Sequence, residues 1–133
     1  MTGNELFKLA HSDTSREILG AFFHVYNKLG FLLAEPIYQR AMPVALQMRG
    51  LSVRREVLLP VRFEGILVGD YRADLIVENT FLIELKSVDK LSAAHEAQVY
   101  NYLRISRLPV GMLLNFGPVP GHRRLVLPIR REA

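Results

Sequence analysis

Apolar positions along this chain switch between two periods, and the switches mark its elements. After Arg16 they recur at helical spacing, with Ile18, Phe22, Val25 and Leu29 three or four residues apart. Ser12, Asp13, Thr14 and Ser15 offer N-caps ahead of that stretch, and Gly30 a C-terminal stop. A second helix is expected from Glu35-Pro36, since proline suits a first turn; it carries Ile37, Ala41, Val44, Ala45 and Met48 up to Gly50. Pro43 inside it predicts a kink or a later start. From Leu51 the period moves toward two. LSVRREVLLPVRFEG and ILVGDYRADLIV read as strands joined at Glu64-Gly65, and FLIELKSV follows a turn at Glu78-Asn79-Thr80. LSAAHEAQVYNYLRIS returns to helix with Ser92 as its N-cap. PVGMLLNFG is an apolar strand, and RRLVLPIRR the expected last one. This order predicts an α/β sandwich around a mixed sheet, with Phe22, Phe23 and Tyr38 in its core.

Length and composition narrow the class. The 133 residues, half of them hydrophobic, are expected to form one domain spanning 1–133. No apolar run reaches membrane-spanning length, and the N-terminus lacks the layout of a secretory signal. The absence of cysteine excludes disulfides, thiolate zinc sites and iron–sulfur clusters, and fits a cytoplasmic protein. The net charge of +4, with basic pairs at Arg54-Arg55, Arg123-Arg124 and Arg130-Arg131, suits a polyanionic partner without naming one. There is no G-x-S-x-G elbow and no phosphate-binding P-loop. His11, His24, His95 and His122 form no H-x-x-x-H pair, which disfavours a zinc protease.

The chemistry concentrates on two neighbouring strand-like segments. Residues two apart on a strand share a face, so Glu84 and Lys86 project together while Ile83 and Leu85 face the core. The turn at 78–80 folds Asp74 back beside them. Burying such a cluster costs several kcal/mol unless a cation or hydrogen bonds offset it, and a hard ion such as Mg²⁺ is the natural compensator. A salt-bridge ladder across the strands is the competing reading. On the following helix, His95, Gln98 and Tyr102 fall on one stripe that can lean over the acids, or form an ordinary polar edge.

The blocks Arg72-Ala73-Asp74, Glu84-Leu85-Lys86, His95-Glu96-Ala97-Gln98, Tyr102-Leu103 and Asn115-Phe116-Gly117 stand in order over most of the chain. Together they resemble the GxxExxY proteins, small members of the PD-(D/E)XK nuclease-like superfamily. Glu35 and Tyr38 fill the E-x-x-Y part, whereas Leu32 stands in the place of the glycine and Ala73 in that of the superfamily's proline. The resemblance implies a restriction-endonuclease-like α/β/α sandwich with a mixed central sheet. It implies a Mg²⁺ or Mn²⁺ ion held by Asp74, Glu84, the Leu85 carbonyl and the helix-borne Glu35. Lys86 would be the catalytic lysine, and Gln98 and Tyr102 the Q-x-x-x-Y feature of RecB-like branches. The expected activity is metal-dependent hydrolysis of phosphodiester bonds in DNA or RNA. A nuclease-fold module that binds nucleic acid or a protein partner without cleaving is the alternative. A homodimer, or a place in a larger complex, stays open, with PVGMLLNFG and its successor equally readable as a dimer edge or as interior strands.

Overall fold

The computed structural model describes residues 2–127, with side chains for residue 2 and residues 11–127. The elements are α1 (Gly3–Leu29), α2 (Glu35–Met48), β1 (Val53–Phe63), β2 (Ile66–Val77), β3 (Phe81–Lys86), α3 (Ala93–Ser106), β4 (Val110–Phe116) and β5 (Pro120–Val126). Turn chemistry fixes the central meander. Glu64 and Gly65 have φ of 51° and 78°, and Glu78 and Asn79 φ of 53° and 50°. Positive φ at both central residues is what the two-residue loop at 64–65 needs to match strand twist, and in the three-residue loop at 78–80 the same conformation lets Thr80 N–H donate to Val77 O at 3.0 Å.

The five strands lie in the order β1-β2-β3-β4-β5. All neighbouring pairs are antiparallel except β3 and β4, which run parallel with Glu84 opposite Leu113 and Lys86 opposite Asn115. A parallel pair needs a crossover, and α3 supplies it. One face of the sheet packs on α1 and α2 through Ile18, Phe22, Tyr38, Met42 and Leu46 against Leu75, Ile83, Leu85, Met112 and Phe116. The other packs on α3 through Val99, Tyr102 and Leu103 against Ile76, Leu82 and Leu113. The result is the three-layer α/β/α sandwich with a mixed sheet that the sequence predicts.

Several details differ from the sequence reading. Helix α1 runs through Ser12–Ser15 instead of starting there. The preceding Glu5, Leu6, Lys8, Leu9 and Ala10 are good helix formers, so the polar quartet falls inside the helix and Ser15 is buried. Pro43 stands within α2, which is one helix from Glu35 onward. Phe23 is 37% exposed beside the fully buried Phe22, because adjacent helical residues point about 100° apart. Strand β5 starts at Pro120, three residues before the expected strand, and ends at Val126; residues 128–131 of RRLVLPIRR, with the Arg130-Arg131 pair, lie outside the described residues. PVGMLLNFG is an interior strand between β3 and β5, so the sheet's edges are β1 and β5.

The β1–β2 hairpin changes layers part way along. Val53, Leu75 and Val77 belong to the core under α1 and α2, whereas Val57, Leu59 and Ala73, of the same parity, belong to the core under α3. The ladder passes from Arg55–Leu75 to Val57–Ala73 without pairing Glu56 to Asp74, and Glu56 has φ of 48°. Such an irregularity re-aims side chains, and Asp74 sits on it.

Candidate active site

The site forms where β2 and β3 part. Their ladder pairs Val77 with Phe81, Ile76 with Leu82 and Leu75 with Ile83, then stops. Asp74 and Glu84 are the next residues, opposite each other, and their carboxylates take the main-chain donors that the ladder releases. Asp74 N–H donates to Glu84 Oε1 at 3.0 Å, and Leu85 N–H donates to Asp74 Oδ2 at 2.8 Å. Gln39 Nε2 of α2 donates to Asp74 Oδ1 at 3.2 Å. Asp74 is therefore oriented by partners on β3 and α2, and Glu84 by one on β2.

Electrostatics at the pair are unfavourable for two full charges. Glu84 is only 4% exposed. Burial, followed by the negative charge of Asp74, pushes its carboxyl up to about 8, against the Asp74 N–H and the charge of Lys86. Burial also raises Asp74, opposed by the Leu85 N–H and Lys86. Lys86, half-buried at the end of β3, thus acts on both acids through its field. The ion pairs among the described residues do not include it. Glu35, in the first turn of α2, is raised by burial first, lowered by Lys86 and raised by Asp74, so it faces the same region. It makes no hydrogen bond to either acid among the described residues.

Helix α3 closes the opposite side. Gln98 Nε2 donates to the Tyr102 hydroxyl at 3.0 Å, and Tyr102 is raised by burial and by the charges of Glu84 and Asp74, so the Gln98–Tyr102 pair leans over the acids. His95 does a different job. Its Nδ1 accepts from Ser92 N–H at 3.0 Å while its own N–H donates to Ser92 Oγ at 3.4 Å, a capping box at the start of α3.

Among the described residues, no three His, Asp or Glu side chains gather closely enough to hold a metal by themselves. The acids here are a pair, with Glu35 as a more distant third. Leu85 lies next to Glu84 on β3 and contributes its N–H to Asp74. An all-oxygen pair still suits a small hard cation, since Mg²⁺ is typically held by one or two carboxylates with waters and substrate phosphate completing its shell. The raised acids carry the same message, because a divalent charge beside them would favour the carboxylate forms that burial disfavours.

Sequence reasoning missed Gln39. It lies four residues after Glu35 and so on the same helical face, which is the signal that could have found it. It also missed Tyr71, whose ring centre lies 5.5 Å from that of Tyr102, and the supports of β3's exit. There Asn115 grips Val88 at both ends, its Oδ1 accepting from Val88 N–H at 3.0 Å and its Nδ2 donating to Val88 O at 2.9 Å.

The model of the PD-(D/E)XK nuclease superfamily matches residues 12–125, and the chain belongs to that superfamily. Its sandwich is accordingly of the restriction-endonuclease-like kind. Superfamily members usually use divalent metals. A solved structure described as the crystal structure of SSO0001 aligns with a TM-score of 0.56 at 19% identity. The alignment covers 92% of this chain and 63% of that one, so this chain spans less than two thirds of the longer protein. At that identity the likeness is one of fold. No curated protein matches the chain. No helix among the described residues is long and apolar enough to cross a membrane.

Proposed function

We propose that this chain is a divalent-cation-dependent nuclease of the GxxExxY type, hydrolysing phosphodiester bonds in nucleic acid. The observation that carries the reading is the Asp74–Glu84 pair, held by main-chain donors at the parting of β2 and β3 with Lys86 beside it. Asp74 and Glu84 would hold Mg²⁺ or Mn²⁺, with Glu35 reaching it directly or through water. Bound there, the cation supplies a positive charge for the phosphate and lowers the pKa of water. Lys86 orients the attacking water and counters charge developing on the phosphoryl oxygens. Gln39 keeps Asp74 in place, and Gln98 holds the Tyr102 hydroxyl toward the acids as a contact for the substrate's phosphate or sugar. Water attacks phosphorus in line and gives up a proton to solvent as its bond to phosphorus forms, the bond to the leaving oxygen breaks, and that oxygen takes up a proton from solvent. Glu35, Tyr38 and the left-handed backbone at Leu32 support the finer assignment, since a positive φ is what the motif's glycine would serve.

The test is Mn²⁺ binding by calorimetry on the wild type and on Asp74→Ala/Glu84→Ala, with cleavage of single- and double-stranded DNA and RNA by the same samples. We expect binding and cleavage in the wild type, both lost in the double variant. Lys86→Ala should bind the ion but cleave about 10²–10³-fold more slowly. A wild type that binds no Mn²⁺ and cuts nothing in the panel would overturn the reading. Nucleic-acid binding that survives alanine at Asp74, Glu84 and Lys86 without any cleavage would favour the non-catalytic module.

A further inference from the structure

A groove of about 600 Å³ runs between β2 and α3 beside the acid pair, lined by Tyr71, Ala94, Ala97, Gln98, Asn101 and Arg104 among others, with no acidic residue on its walls. Tyr71 stands three residues along β2 from Asp74, about 10 Å at strand spacing. Its strand position is fixed by its partner Leu59, which is 3% exposed, and its ring rests against Tyr102 at 5.5 Å with a tilt of 44°. Even so, Tyr71 keeps 45% of its surface in solvent.

On α3, Ala94, Ala97, Gln98 and Asn101 form one stripe at helical spacing. The two alanines keep the wall low. The two amides can donate to and accept from base edges, and Arg104 offers a cation for backbone phosphate. The groove therefore combines an exposed aromatic face, neutral amides and a positive charge, adjoining a pair of acids suited to a cation. A duplex presents no free base faces to such a ring, because its bases are already stacked on each other. A single strand presents them at every nucleotide.

We propose that this groove is a base-stacking subsite for single-stranded nucleic acid, with Tyr71 as the platform that seats a base next to the scissile phosphate. The link to a scissile phosphate rests on the nuclease reading above; the binding itself does not. Tyr71 is the specificity-determining residue here, selecting unpaired over paired substrate, and the Gln98–Tyr102 pair forms the junction between subsite and acids.

The experiment measures metal-free binding, so that cleavage plays no part in it. Short fluorescently labelled single strands of DNA and of RNA, and a duplex of the same sequence, are titrated with the wild type, Tyr71→Ala and Tyr71→Phe. A parallel set carries 2-aminopurine, whose emission is quenched when it stacks. We expect the wild type to bind single strand with quenching. Tyr71→Ala should bind it about tenfold more weakly without quenching, Tyr71→Phe should bind and quench as the wild type, and duplex binding should not respond to either change. Circular dichroism and thermal melting establish that the exposed substitution leaves the fold intact. Equal single-strand binding by wild type and Tyr71→Ala overturns the proposal, as does a wild type that fails to bind single strands or an equal loss on duplex. Tyr71-dependent quenching by a wild type that binds no Mn²⁺ and cuts nothing in the cleavage panel above would uphold the subsite and sink the nuclease reading. Cleavage with Tyr71-independent binding would do the reverse.

Discussion

Leu32 sits in a backbone conformation meant for another residue. Its φ is 85°, and its side chain is 83% exposed, so nothing in packing compensates it. Neighbouring contacts hold the connection between α1 and α2 in that path. The Tyr38 hydroxyl donates to Gly30 O at 2.6 Å and accepts from Leu33 N–H at 3.3 Å, while its ring stacks on Phe116 at 4.2 Å and 9°. Left-handed backbone costs a non-glycine residue about 1–2 kcal/mol, and glycine returns part of that through the freedom of its unfolded state. Leu32→Gly should therefore stabilise the protein by up to about 1 kcal/mol, read as a higher urea midpoint at unchanged slope. A lower midpoint would show that the loop relies on the leucine side chain. The sequence revealed that a leucine occupies the glycine's place. Only the structure revealed that the strained conformation is kept anyway, because Tyr38 imposes it from the core.

At the scale of elements, the exit of β3 carries Lys86, and what anchors it is β4. Asn115 grips Val88 at both main-chain atoms, and Gly117 lies so close that a Cβ there would stand 2.2 Å from the Val88 carbonyl oxygen. Tyr26 of α1 adds a donor to Gly117 O at 2.7 Å. Because the obstacle is backbone and not a flexible side-chain tip, Gly117→Ala should cost about 2–3 kcal/mol in a denaturant melt. An unchanged melt would mean that the segment after β3 can move aside freely. The Asn115-Phe116-Gly117 block was visible in the sequence as a unit. Its reason was not, since Val88 is reached only through the parallel pairing of β3 with β4. The start of α1 was misread for the opposite cause: Ser12–Ser15 is a good local cap signal, but a cap is worth only about 1 kcal/mol and the helix formers upstream outweigh it.

The molecule as a whole carries a pH dependence written by the buried pair. Glu84 has an ordinary value of 4.5 and is pushed up to about 8 in the fold by burial and by Asp74. Below pH 4.5 it is protonated in both folded and unfolded chains. Between there and about 8 the unfolded chain releases a proton that the folded one retains, so stability falls as pH rises, and the loss is complete above 8. Asp74, also raised, acts in the same direction. We expect the melting temperature without metal to drop from pH 5 to pH 8.5, and Glu84→Gln to flatten most of that slope while keeping an oxygen for the Asp74 N–H. Since a cation competes with these protons, Mn²⁺ should restore stability most at the alkaline end. A metal-free melting temperature that rises over the same range would contradict the placement of Glu84.

What the sequence determined by itself was periodic or contiguous. Helix and strand periods, turn residues and the order of elements gave an α/β sandwich around a mixed sheet, the family resemblance implied its α/β/α layering, and strand alternation placed Glu84 and Lys86 on one side with Ile83 and Leu85 on the other. These follow from rules that act within a few residues. The tertiary structure decided whatever joins distant segments: Gln39 reaching Asp74 from α2, Tyr71 meeting Tyr102 across a groove, Asn115 holding Val88, and the parting of β2 from β3 that lets two carboxylates replace a ladder pair. Each depends on where separate elements pack, and packing distances between them are set by the summed volumes of the core, which no local pattern of residues records.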